Sequence, residues 1–197
     1  RDILFEGNNY SDEWEKEAKK RGLTNIKNTA YALDLFETKK AKKLFVNNNI
    51  FTERELEART EIYFEKYILK IQIESRIMGE LALNHIVPAA IGYQNQLVKN
   101  VKGLKEIGLG KATTASQINL IEFIAKHVNI IEKSVSEMVN TRKEINQIED
   151  ASKKAKAYCD KVLPFFETIR YSADKLELVV DNKNWPLPKY REMLFMN

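Results

Sequence analysis

The stretch IEFIAKHVNIIEKSVSEMVNTRKEI, residues 121–145, decides the fold class of this chain. Its largely apolar stripe recurs at alternating steps of three and four residues, which places every member on one face of an α-helix. The members are Ile121, Ile124, Val128, Ile131, Val135, Met138, Arg142 and Ile145. The pattern predicts a long helix that buries this face against partner helices at a shallow crossing angle.

A second long helix is predicted before this stretch, starting at a capping box formed by Thr52 and Glu55. Pro88 interrupts its stripe, and we expect a kink there because proline lacks a backbone N–H and crowds the preceding turn. The stripe on the two sides of the kink is Phe64, Ile68, Ile71, Ser75, Met78, Ala82, His85 and Ala89, then Ala90, Tyr93, Leu97, Val101 and Leu104. Thr114 and Gln117 are expected to form another capping box after the glycine-containing connection.

A third helical run follows with its phase shifted, which predicts a turn near residues 147–152. Its stripe is Ile148, Ser152, Ala155, Cys159, Val162, Phe166, Ile169, Ala173, Leu176 and Val180. Ahead of the long helices, Ser11 and Gly22 are the cap and the left-handed stop of a short predicted helix. Residues 29–46 predict one or two further short helices.

The predicted fold is all-α, with long antiparallel, kinked helices that form a bundle or coiled-coil-like module. Short helices precede this module, and an extended C-terminal tail rich in aromatic residues and proline follows it. The predicted organisation is residues 1–51 for the short helices, 52–183 for the long-helix bundle and 184–197 for the tail. The pattern leaves open whether the stripes pack within one chain or against neighbouring subunits.

Composition narrows the classes of function. Only seven Gly and four Pro occur in 197 residues, which favours long helices over a turn-rich sheet fold. The net charge of +4, with Lys and Glu closely interspersed, indicates a solvated surface, so no nucleic-acid partner is expected. The single cysteine, Cys159, allows no intrachain disulfide and favours a reducing, cytoplasmic setting. No apolar run reaches the roughly 18 residues of a membrane span, so no membrane partner is expected.

The residues with chemical potential do not combine into a predicted active site. His85 lies on the apolar stripe near Pro88, where a buried structural histidine is favoured over a general base or metal ligand. His127 is expected on a helix rim, and Cys159 at a buried apolar position. The segment IGLGKATT, residues 107–114, lacks the first glycine and the Ser or Thr of a phosphate-binding loop, so it predicts an inter-helix turn. No catalytic, cofactor-binding or metal-ligating residue is predicted.

Three blocks of the sequence carry a resemblance to a known family. They are FEGNNYSDEW (residues 5–14), KIQIESRIMGELALNHIVPAAIGYQNQLVKNVKGLKE (70–106) and AYCDKVLPFFETIRYSADKLELVVDNKNWPLPKYREMLF (157–195). In order and spacing they resemble the C-terminal region of type III glutamine synthetases from bacteria. The segments NHIVPAA and WPLPKYRE are the most specific parts of this resemblance, which covers a little under half of the chain.

The resemblance implies that the chain is part of a glutamate–ammonia ligase. That family makes glutamine through γ-glutamyl phosphate, using ATP and Mg²⁺ or Mn²⁺, in large oligomers of stacked hexameric rings. It also implies that the catalytic sites lie upstream, in a β-rich region of the same polypeptide to which residues 1–51 lead. The segment itself is then expected to be non-catalytic and to support the fold or the oligomer. The alternatives are a stand-alone helical adaptor that binds a partner helix, and an enzyme with a site near His85.

The tail adds a candidate interaction site to this interpretation. A chain terminus is usually polar, whereas this one concentrates apolar and aromatic side chains around two prolines that favour an extended backbone. We therefore predict a docking segment, which inserts its side chains into grooves of the bundle, the catalytic region or a neighbouring subunit. The predicted docking residues are Trp185, Pro186, Leu187, Pro188, Tyr190, Leu194 and Phe195.

Overall fold

The computed structural model describes residues 6–8 and 10–194, apart from the side chains of Tyr190 and Arg191. This part of the chain contains helices and no strand, which confirms the predicted all-α class. The chain consists of two compact units, residues 1–64 and 65–197. The boundary falls within helix α4, Glu53–Leu81.

The first unit begins with helix α1, Asp12–Lys20. Acidic residues occupy its first turn and lysines its last turn, as the helix dipole favours. Gly22 ends it with a φ of +69°, which confirms the predicted stop. Ser11 occupies the N-cap position, but its side chain does not cap the helix, because its hydroxyl donates to the carbonyl of Asn8.

Short helical segments follow in the first unit, as predicted for residues 29–46. They are α2 (Thr29–Ala32), a 3₁₀ turn (Leu33–Glu37) and α3 (Lys39–Asn47). The capping box that starts α4 is also present: the Thr52 N–H donates to Glu55 Oε2 at 2.8 Å, and the Glu55 N–H donates to Thr52 Oγ1 at 3.3 Å.

The second unit is organised around a long antiparallel hairpin. Helix α4 continues through a π-helical turn, Ala82–Ile86, into α5, Val87–Glu106. Helix α6, Lys111–Ile145, returns along both of them. Side-chain hydrogen bonds fix one constant register along the hairpin, and they join Gln72 to Asn146, Arg142 to Ser75, Gln94 to the Ile121 carbonyl, and Asn100 to Gln117.

A third arm packs against the other side of α6. The chain turns between Ile145 and Ala151, within the range predicted for the turn, and the Asp150 carboxylate caps the next helix by accepting from the Lys153 N–H at 2.7 Å. The arm consists of α7 (Ala151–Ala157), a π-helical turn (Tyr158–Val162) and α8 (Leu163–Glu177). The α6 stripe lies in the core between the arms, with Ile124, Val128, Ile131, Val135, Met138 and Ile145 buried.

Both prolines inside the long helices follow a π-helical turn. Each turn spans five residues and ends two positions before the proline, at Pro88 and at Pro164. Proline cannot donate the hydrogen bond of a regular helix and clashes with the carbonyl four residues earlier. A wider turn at this point accommodates both effects. A π turn therefore lies before Pro88, where a kink was expected, and the π turn before Pro164 was not predicted.

The first π turn also moves the buried stripe by one residue. The prediction that His85 continues the stripe is wrong: His85 is exposed, and Ile86 and Ala90 are buried in the positions expected for His85 and Ala89. In the third arm, Cys159 is only half-buried, and the neighbouring Tyr158 is fully buried instead. The displacement at His85 follows from the π turn, which contains one more residue than the α-helical spacing assumes. Cys159 has another cause, because the predicted positions Ile169 and Leu176 beyond the second π turn are buried as expected. Tyr158 follows the buried Ala155 by three residues and takes the core position in place of Cys159.

The capping box predicted at Thr114 and Gln117 is also wrong. Helix α6 begins four residues earlier, with Gly110 instead of Thr114 at the N-cap position. Thr114 is therefore buried inside the first turns of α6, and Gln117 accepts a hydrogen bond from the amide of Asn100 on α5. Gly108, with a φ of +88°, lies in the turn between α5 and α6. This turn is shorter than the predicted 107–114, because α6 already begins at Lys111.

The tightest approach in the hairpin occurs at Gly79 and provides a test of the packing. A Cβ atom at Gly79 would lie 3.2 Å from Val135 Cγ1 on α6, whereas a Cβ atom at Gly103 on α5 would meet nothing within 4 Å. We expect Gly79→Leu to lower the free energy of unfolding by about 1–3 kcal/mol through overpacking. The matched variant Gly103→Leu should leave it unchanged or raise it by up to about 1 kcal/mol through helix propensity. Urea denaturation measures both, and equal effects of the two substitutions would contradict the packing.

Candidate functional site

The segment after α8 folds back onto the end of that helix. The Lys189 ammonium donates to the carbonyl of Glu177 at 2.6 Å and to the carbonyl of Val180 at 3.1 Å. These carbonyls belong to the last turn of α8 and the turn beyond it, where a helix lacks internal donors and where its dipole favours a positive charge. A single lysine of the tail therefore completes the C-terminal end of the helix.

Trp185 provides the apolar part of this attachment. Its backbone N–H donates to the carbonyl of Asp181 at 3.0 Å, and only 9% of the residue is exposed. The Lys189 ammonium also lies 5.7 Å from the centre of the Trp185 ring, within the range of a cation–π contact. The ammonium thus connects the indole ring to the end of α8.

Leu187 reaches a separate apolar groove of the second unit. The groove has a volume of about 390 Å³ and lies between the α4–π-turn segment and α8. Its walls are almost entirely apolar, including Met78, Ile86, Phe166 and Ile169, with Glu74 and Arg170 also contributing. Leu187 is half-buried and forms part of the lining, so the tail contributes to the groove.

The predicted docking residues do not share one environment. Trp185 is buried and Leu187 is half-buried, whereas Pro186 and Pro188 are exposed. Leu194 is 60% exposed on this chain. The side chain of Tyr190 and the whole of Phe195 lie outside the described residues.

The backbone of the tail is extended only in part. Residues 185–189 have no regular secondary structure, and Tyr190–Met193 forms the helical turn α9. The Lys189 N–H donates to Glu192 Oε2 at 3.1 Å at the start of this turn. Sequence reasoning missed Lys189, although a basic residue soon after a helix end is a known signal of C-terminal capping.

His127 occupies a different position from the one predicted. It is only 5% exposed, with the Phe123 ring 4.5 Å away on α6 and the Tyr171 ring 6.3 Å away on α8. Its Nδ1 has no hydrogen-bond partner. Burial, and then the charges of Lys126 and Lys175, lower the pKa of His127 below its ordinary value. The expectation of a helix-rim position is wrong, because α8 covers this face of α6.

A polar network lies at the turn end of the bundle. The Tyr158 hydroxyl donates to Asn146 Oδ1 at 2.7 Å, and the Gln72 amide donates to both Asn146 Oδ1 at 2.8 Å and the Tyr158 hydroxyl at 3.0 Å. Burial raises the pKa of Tyr158, which keeps the hydroxyl protonated as a donor. The network joins α4, the residue that follows α6 and the second π turn, so it holds these three elements together.

Across residues 6–8 and 10–194, no group of three or more His, Cys, Asp or Glu side chains is placed to hold a metal ion. Within the same residues, no helix has the length and apolar character needed to cross a bilayer.

Comparison with known proteins agrees with this architecture. The sequence model of the family described as glutamine synthetase C-terminal domain matches residues 1–105. A glutamine synthetase of Bacteroides fragilis (strain YCH46) is 44% identical over 196 residues, and a type-3 glutamine synthetase of Dictyostelium discoideum is 29% identical over 197 residues. A glutamine synthetase of Butyrivibrio fibrisolvens is 31% identical over 193 residues. Each alignment covers 98% of this chain and 27% of the relative.

The fold and the attached tail define the chain as a helical-bundle module with a folded-back C-terminal segment. More specifically, the chain belongs to the glutamine synthetase C-terminal domain family, because the family model matches more than half of its residues. It spans about a quarter of the length of the relatives that it matches. The family resemblance predicted from the three sequence blocks is thereby confirmed.

The Lys189 attachment can be tested by removing its charge. In Lys189→Met, the carbonyls of Glu177 and Val180 lose their donor, and we expect the free energy of unfolding to fall by about 1–2 kcal/mol. The matched variant Lys183→Met, at an exposed lysine of the preceding turn, should change it by less than about 0.5 kcal/mol. Chemical denaturation compares the two variants. A loss no larger in Lys189→Met than in Lys183→Met would show that the ammonium does not stabilise the helix end.

Burial of His127 predicts a specific pH dependence. Because its pKa is lower in the folded chain than its ordinary value of 6.5, the unfolded chain binds the proton first as the pH falls. The contribution to stability is complete above about pH 6.5 and decreases as the pH falls below it. When the pH is lowered from about 7.5 to about 5, we expect the free energy of unfolding to fall less in His127→Gln than in the parent chain. The exposed His85→Gln variant serves as the control, and thermal denaturation at each pH gives the comparison. Identical pH profiles for His127→Gln and the parent chain would exclude this contribution.

Proposed function

We propose that this chain is the C-terminal portion of a glutamine synthetase, an enzyme that ligates ammonia to glutamate at the expense of ATP. The observation that carries the proposal is the extent of similarity. It covers 98% of this chain but only 27% of the Bacteroides relative named glutamine synthetase. The portion itself is non-catalytic in this proposal and supports packing of the enzyme. The upstream region of the same polypeptide is its first partner.

ATP and Mg²⁺ or Mn²⁺ belong to the proposed parent enzyme. The residues described here do not fit a site for them, because these residues contain no cluster of potential metal ligands. Residues 107–110 form the inter-helix turn around Gly108 and residues 111–114 begin α6, and this segment lacks the residues of a phosphate-binding loop. We therefore assign no step of the ligation reaction to this chain.

A supporting role is consistent with the apolar surface that the bundle leaves exposed. Leu69, Ile73 and Ile77 lie four residues apart on α4 and are each about half exposed. Ile77 also lines the groove that receives Leu187. An aliphatic stripe of this kind is typical of a surface that packs against another protein element. In the proposed enzyme, this surface and the tail support subunit packing in a homo-oligomer of stacked hexameric rings, located in the cytoplasm.

The same stripe also favours the second candidate function, a helical adaptor that acts alone. Residues at i, i+4 and i+8 form a surface to which an amphipathic helix of a partner protein binds. The two functions differ in the mass of the native polypeptide. A polypeptide several-fold heavier than 22.9 kDa favours the enzyme portion, and one near 22.9 kDa favours the adaptor.

The role of the tail can be tested in the full-length enzyme. Trp185→Ala removes a buried indole, and we expect a loss of about 3 kcal/mol or more in stability, a lower melting temperature and weaker assembly. Truncation before Asn184 should have a larger effect of the same kind. The matched variant Pro186→Ala changes an exposed neighbour and should retain the oligomer. Light scattering after gel filtration measures the oligomer. An unchanged oligomer and melting temperature in the truncated enzyme would contradict a supporting role for the tail.

A further inference from the structure

The stripe of α6 contains one charged residue that the bundle does not neutralise. Arg142 follows Met138 in the stripe and is half-buried. Its Nη1 donates to Ser75 Oγ at 2.9 Å, and Ser75 is only 1% exposed. The Ser75 hydroxyl donates in turn to the carbonyl of Gln72 at 2.9 Å. Arg142 is thus held in a defined orientation by a neutral group, which leaves its charge uncompensated.

A second arginine lies close to the first. Arg76 follows Ser75 on α4, and its charge, after burial, contributes to lowering the pKa of Arg142. Within residues 6–8 and 10–194, neither guanidinium lies within 4.0 Å of a carboxylate oxygen. Two cations that repel each other across a packed helix pair cost stability unless an anion compensates them.

The two arginines line a recess large enough for such an anion. Its volume is about 230 Å³, and it lies between α4, the first π turn and α6. Val135 and Val139 form its apolar wall, and Asn84 of the π turn adds a side-chain amide. Glu80 also lines the recess but pairs with neither arginine. Because the π turn adds one residue, it sets which side chains of residues 82–86 face this recess.

We propose that this recess binds an oxyanion, a carboxylate or a phosphate, with Arg142 and Arg76 as its principal ligands. A guanidinium presents paired N–H donors that match the two oxygens of a carboxylate or phosphate, and hydrogen bonds between charged groups are the strong ones. Arg142 uses one of its donors on Ser75, so further donors remain for the anion. The anion is either a free small molecule or an acidic side chain from the rest of the enzyme or a second subunit.

Binding of a free anion is tested by calorimetric titration of the full-length polypeptide with inorganic phosphate. Arg142→Met and Arg76→Met should each weaken the affinity for phosphate by about tenfold or more. The matched variant Lys143→Met removes an exposed charge next to Arg142 on α6 and should bind phosphate as the parent does. Any phosphate that binds elsewhere in the polypeptide binds equally in all variants. The difference in phosphate affinity between the variants therefore measures binding at the recess.

An acidic side chain as the source of the anion gives a different result. Phosphate titrations of the parent and the arginine variants would then agree, while both arginine variants would form a weaker oligomer than Lys143→Met, as measured by gel filtration with light scattering. Arg76 is exposed, so Arg76→Met tests the recess without disturbing the core. Unchanged phosphate binding together with unchanged assembly in both arginine variants would overturn the proposal. Neither measurement requires glutamine synthesis, so the recess and the proposed function fail independently.

Discussion

The second unit depends on the burial of α6 between two antiparallel arms. The α4–α5 arm covers one side of its stripe in a register that hydrogen bonds maintain from Gln72 to Asn100. The α7–α8 arm covers another side and buries His127. Each fully buried aliphatic side chain of this stripe contributes roughly 1.5–3 kcal/mol, and both arms pack against it. The groove, the tail attachment and the arginine recess all lie on surfaces that this packing positions.

Helical periodicity made most of this fold predictable. The errors arise at a π turn and where tertiary packing covers a face that the pattern leaves exposed. The spacing of apolar residues depends only on the repeat of the helix, so it located α4, α5, α6 and the turn before Ala151. It could not locate the π turns, because their extra residue leaves no mark in a pattern that assumes 3.6 residues per turn. The misplacement of His85 follows from that assumption. His127 was misplaced for another reason, since one helix pattern does not show how wide a face its neighbours cover.

The candidate site was predictable only in its apolar part. The concentration of Trp185 and Leu187 near a chain terminus indicates docking because such side chains favour burial. The hydrogen-bond partner of a polar side chain is harder to predict from the sequence. Lys189 caps α8 and Arg142 contacts Ser75 only because the chain folds back on itself. Neither contact is visible in local spacing.

The π turn before Pro88 has a consequence for how this protein tolerates changes in length. The helix on each side of the turn presents its apolar residues to α6, yet the two sides are out of step by one position. Loss of one residue from Ala82–Ile86 would restore an ordinary helical turn, because the π turn fits one more residue into the same rotation. Ala90 and Val101, which are buried, would still face α6 after this loss. The segment can therefore absorb a change of one residue in its length without moving the apolar face that follows it.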